Sequence, residues 1–188
     1  MVIFRNARNS ITLKQMTDRR RMLIYGYGNP GRQDDGLGKA LIDLAESRLP
    51  KEYLENITLD VGYQLQVEDV ILLKEHDLVI FVDASMDEKI GDFGIDAVSA
   101  DGKTTFTMHS VSPGFIIALY ESMYGKSPPA YLLQIRGYEW EMEESLSPGA
   151  QKNLAKAWAA LREIIRNPDL LTDENFFTRI SPDNGLKA

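Results

Sequence analysis

The apolar positions of the chain alternate between two periods. Met22-Leu23-Ile24-Tyr25 is an unbroken run stopped by Gly26, and Leu37, Leu41, Ile42 and Leu44 then recur at helical spacing. The run predicts a buried strand, the recurrence a helix, and the glycine-rich stretch between them a loop. Ile57-Thr58-Leu59-Asp60-Val61 reads as a second strand, Val67, Ile71 and Leu72 as a second helix, and Leu78-Val79-Ile80-Phe81-Val82 as a buried third strand. Alternation of this kind predicts a doubly wound α/β sheet. Beyond Asp83 the order loosens. Phe93 to Val98 reads as an edge strand, Gly114 to Tyr124 as a helix ended by Gly125, and Tyr131 to Ile135 as another central strand. Leu154 to Ile165 forms a closing amphipathic helix, with Ser147 as its N-cap and Pro148 in its first turn.

Both ends differ from this pattern. Residues 1–21 carry Arg5, Arg8, Lys14, Arg19, Arg20 and Arg21 with little apolar periodicity, which predicts a solvated extension outside the core. Residues 22–166 then form a single domain. Residues 167–188 hold two prolines and mixed charges and read as a loosely attached tail.

Composition narrows the function. A chain of 188 residues with 44% hydrophobic positions supports one core. Its 21 Lys+Arg against 28 Asp+Glu give a net charge of −7, with no field to gather phosphates, so nucleic acid is not an expected partner. No apolar run approaches the roughly 18 residues of a membrane span, and the start lacks an apolar signal core. The expectation is a cytoplasmic protein with no membrane association. The absence of cysteine excludes disulfides, thiolate catalysis and Cys-built metal sites. Metal chemistry is left to carboxylates and to His76 and His109.

Three places carry candidate chemistry. Gly26, Gly28 and Gly31 precede a helix and superficially match a dinucleotide fingerprint, in which a helix N-terminus meets a pyrophosphate. Here the same helix end carries Asp34 and Asp35, which repel phosphate and compete for its donors. The acid expected for a ribose also comes late, because Asp60 lies more than thirty residues beyond Gly26. One of the two aspartates is suited to cap the helix while the other faces the crevice. Asp83 follows the third strand. If the first and third strands are neighbours, Asp83 shares with the glycine loop the switch point where open sheets bind ligands; alternatively it caps a turn over residues 83–87. His109 stands in a loop leading to a helix, and with two carboxylates it makes a plausible shell for Zn²⁺ or Ni²⁺. His76 reads as a connector residue. Gln64 lies on the same rim, Arg136 ends a strand and suits a structural ion pair, and Tyr138 and Trp140 suit either a groove or an edge.

Gly28-Asn29-Pro30 followed by Asp34-Asp35-Gly36-Leu37-Gly38, the strand end Val82-Asp83-Ala84, and the turn His109-Ser110-Val111-Ser112-Pro113 together resemble the [NiFe] hydrogenase maturation proteases. The likeness covers about residues 22 to 165, with supporting pieces in Asp60-Val61-Gly62-Tyr63-Gln64-Leu65 and Leu132-Leu133-Gln134-Ile135-Arg136-Gly137. The resemblance implies a three-layer α/β/α sandwich around a twisted, mostly parallel five-stranded sheet. It also implies a catalytic, metal-contacting triad of Asp35, Asp83 and His109. The family often has Glu at the first position, where this chain has the shorter Asp35, with Asp34 as the fallback. In some members the histidine directly follows Ser-Pro, whereas Ser112-Pro113 comes after His109 here. The implied reaction is endopeptidase removal of a C-terminal extension from the hydrogenase large-subunit precursor. The implied metal is nickel presented by that substrate, with no organic cofactor, and a monomer suits so bulky a partner. A noncatalytic chaperone of the same subunit and a dinucleotide-binding oxidoreductase are the competing readings.

Overall fold

A computed structural model describes residues 20–100 and 111–173. The strands β1 (Met22–Tyr27), β2 (Ile57–Gly62), β3 (Leu78–Ser85), β4 (Phe93–Ala97) and β5 (Ala130–Arg136) form one sheet. Their spatial order is β2-β1-β3-β5-β4. The first three and β5 run parallel, and β4 closes one edge antiparallel to β5. β1 and β3 are almost continuously buried, as the unbroken apolar runs require of strands covered on both faces.

Four α-helices complete the described structure: α1 (Leu37–Arg48), the short α2 (Lys51–Leu54), α3 (Pro113–Tyr124) and α4 (Pro148–Arg166). Side chains alternate along each strand and so build two cores. Met22, Ile24, Ile80 and Val82 pack with Leu41 and Ile42 of α1 and Trp158 and Leu161 of α4. Leu23, Tyr25, Val79 and Phe81 pack on the other face with Ile116, Ile117 and Tyr120 of α3. The result is the expected three-layer α/β/α sandwich. Ser147 caps α4 by accepting from the Ala150 amide, and Gly125 ends α3 with a φ of 88°.

Several local expectations change. The segment expected as a second helix winds as a 3₁₀ turn over Val67–Glu75. Asp69 ties its start to β1, accepting from the Tyr25 hydroxyl at 3.0 Å and the Gln66 amide at 2.8 Å. β3 runs past Asp83 to Ser85, because β5 continues to pair with it through Arg136. The domain also takes in residues from both expected appendages. The Arg21 carbonyl accepts from the Asp77 and Leu78 amides. Leu171, in a 3₁₀ turn over Pro168–Thr172, is buried in the α1/α4 core, while Arg20 pairs with Asp169 at 2.8 Å. No helix among the described residues is long and apolar enough to cross a membrane.

Candidate functional site

The chain leaves β1 toward β2 on one side and reaches β3 on the other, so the switch point of the sheet lies between the carboxyl ends of β1 and β3. Both ends carry acids. The Gly26–Val82 register pair places Tyr27 and Asp83 next along their strands, on the face shared with α3. A 3₁₀ turn over Gln33–Gly36 carries Asp35 into the same crevice.

Asp35 is half-buried and is fixed by its surroundings. Its Oδ2 accepts from the Asn29 amide at 3.0 Å, and its own amide donates to the Arg32 carbonyl at 3.1 Å. Gly28 makes this approach possible: its φ is 130°, and an added Cβ there would overlap the Asp35 carbonyl. Gly26 serves another end, since a Cβ at that position would collide with the Gly38 carbonyl and Ile42, holding α1 against β1.

Asp83 accepts from the Ala84 amide at 2.8 Å and from the Tyr27 hydroxyl. Burial pushes its carboxyl up to about 6; the donors from Tyr27 and Ala84 oppose the rise and the charge of Asp35 adds to it. Burial, and then the charge of Asp83, drives the Tyr27 hydroxyl far above its ordinary range, so it stays a donor. The charge of Asp35 is felt at Asp83, so the two acids lie within electrostatic reach across the crevice. Neither acid serves as a helix or turn cap. α1 begins without a side-chain cap, and the turn after β3 is capped by Asp87, which accepts from the Lys89 amide.

Asp34, the fallback ligand, is otherwise engaged. Its fully buried carboxylate accepts from the Tyr138, Glu139 and Ser147 amides and the Ser147 hydroxyl, at 2.6 to 3.0 Å. It ties the turn to the segment between β5 and α4. His109 lies outside the described residues. Val111, two residues further along the chain, packs on the same core as Tyr27, and the Ser112 hydroxyl caps α3 by accepting from the Phe115 amide at 3.1 Å. Among the described residues, no group of three His, Cys, Asp or Glu side chains is set to hold a metal ion. Asp35 and Asp83 are hard oxygen donors suited to part of a divalent shell.

The remaining candidates resolve individually. His76 is structural: its Nδ1 donates to the Leu72 carbonyl at 2.6 Å and its Nε2 meets the Thr58 hydroxyl at 2.8 Å. Gln64 is exposed on the rim. The Arg136 guanidinium lies 5.1 Å from the Tyr138 ring centroid and donates to the Glu88 carbonyl, in place of the expected ion pair. Tyr138 accepts from Asn153 at 3.0 Å, and the Trp140 ring packs over Gly137, so both brace α4 and the β5 exit. The dinucleotide reading meets a physical obstacle. The Asn29 amide is taken by Asp35, and Pro30 covers Gly36 at the head of α1 so closely that a Cβ would lie 2.9 Å from it. Gly31 shows neither a positive φ nor a collision with backbone. Tyr27 was not singled out by its sequence, although its place beside Gly28 on the parity of Tyr25 is the signal that locates it.

No protein-family model matches the chain, and no curated protein matches it. Solved structures do. The hydrogenase maturating endopeptidase HybD from E. coli superposes with a TM-score of 0.62 at 20% identity, over 79% of this chain and 93% of that one. The [NiFe] hydrogenase maturation protease HycI from Thermococcus kodakarensis gives 0.61 at 22% identity, over 82% and 99%. A hydrogenase 2 maturation peptidase from a Thaumarchaeota archaeon gives 0.57 at 21%, over 77% and 97%. The chain therefore has the α/β fold of the hydrogenase maturation proteases, spanning nearly the whole of each.

Proposed function

We propose that the protein is a cytoplasmic, monomeric endopeptidase that removes the C-terminal extension of a nickel-loaded [NiFe] hydrogenase large-subunit precursor. The observation that carries this reading is the convergence of Asp35 and Asp83 at the switch point of a sheet with the maturation-protease fold. In it, Asp35, Asp83 and His109 receive the nickel that the substrate brings. Docking the ion on these side chains aligns the scissile amide with a water, and positioning of this kind is worth up to about 7–11 kcal/mol in favourable cases. The water adds to the carbonyl carbon as the C–N bond breaks, and its proton passes to the departing amine. A crevice carboxylate acts as the general base for that transfer.

Incubation of the purified protein with loaded and nickel-free precursor, followed by intact-mass measurement, tests the proposal. Loss of a C-terminal peptide from the loaded form is expected, and Asp83→Asn or His109→Ala is expected to abolish it with the fold intact. Binding of the precursor without any mass loss would establish the chaperone reading instead.

A further inference from the structure

The turn that carries Asp35 is held by more than its neighbours in sequence. Gln33 has a φ of 42° and is the one non-glycine residue among those described with a positive value. Its amide donates to the Glu143 carbonyl at 2.6 Å, and its side chain bonds the Glu139 carboxylate at 3.1 Å and the Glu141 amide at 2.7 Å. Asp34 follows, with none of its surface exposed. Its amide donates to the Glu139 carbonyl at 3.1 Å, and its carboxylate gathers four donors from Tyr138, Glu139 and Ser147. An acid buried in a shell of donors from a distant segment is a clamp, and the residue after the clamp is Asp35.

We infer that Asp34 is a positioning residue for Asp35: by locking the 33–36 turn to the 138–147 segment it places the short Asp35 side chain at the crevice beside Asp83. The inference rests on the proposed role of Asp35 as a site acid. The chemical reason is reach. An aspartate carboxylate stands one methylene closer to its backbone than a glutamate carboxylate, so its location follows the backbone and has little torsional slack to absorb a displaced turn. A clamp therefore matters more with Asp at position 35 than it would with Glu.

The test compares wild type, Asp34→Asn and Gln33→Asn. The second change withdraws the side-chain bonds to residues 139 and 141 while Asn tolerates the positive φ, which keeps a folded variant available. Hydrogen exchange of the Asn29 amide reports on Asp35 independently of catalysis. Release of the turn is expected to speed that exchange about tenfold or more, and to lower kcat for the loaded precursor by up to about 100-fold. Adding Asp35→Glu to either variant is expected to recover most of kcat without restoring the melting temperature. A folded Asp34→Asn protein with wild-type Asn29 exchange and kcat would overturn the inference, as would a loss that Asp35→Glu does not relieve. If wild type cleaves no precursor, the proposed function fails, and Asn29 exchange alone decides the clamp.

Discussion

Replacing Asp83 by Asn should make the protein more stable at neutral pH while destroying its proposed activity. The carboxyl titrates near 6 in the folded chain against 3.8 ordinarily. Between those values the folded state holds a proton that the unfolded state has released, so native stability falls as pH rises through this window. The whole difference amounts to about 3 kcal/mol. Asn carries no charge to desolvate and does not repel Asp35, but it has one acceptor oxygen where the carboxylate has two. Loss of one hydrogen bond returns about 1 kcal/mol, leaving a net gain of about 2 kcal/mol at pH 7. For a domain of this size that raises the melting temperature by about 4–8 °C. Urea denaturation of wild type and Asp83→Asn, at several pH values from 3.5 to 7.5, isolates the effect because every other carboxylate titrates in both proteins. The stability difference should swing by about 3 kcal/mol in favour of the variant across that range. A difference that stays flat with pH would refute the claim that the crevice holds Asp83 under electrostatic stress.

Other outcomes follow from the same geometry. Asp35→Asn removes a neighbouring negative charge and should lower the Asp83 pKa below its present value, read by carboxyl carbon shifts in an NMR titration; an unchanged pKa would separate the two acids. Asp34→Ala leaves buried donors from Tyr138, Glu139 and Ser147 without a partner and should cost about 3–5 kcal/mol in urea denaturation. Gly26→Ala forces α1 away from β1 and should cost about 1–3 kcal/mol, measured as a lower melting temperature.

The outline of the fold was legible because it depends on periodicity. The runs ending at Tyr25 and Val82 could be buried on both faces only as central parallel strands, and Ser147-Pro148 announced the start of α4. The pairing of Asp35 with Asp83 was readable as a conditional, contingent on β1 and β3 being neighbours, because the chain pattern gives strand identity but not strand order. Tertiary structure supplied that order. It also decided between two adjacent aspartates that no local rule distinguishes. One faces the crevice, and the other meets donors that lie more than a hundred residues away in sequence, a partnership that only the folded path of the 138–147 segment creates. The pKa of Asp83 belongs to the same class of property. Burial, the Tyr27 hydroxyl and the Asp35 charge exist as an environment only once three separate segments share one end of the sheet.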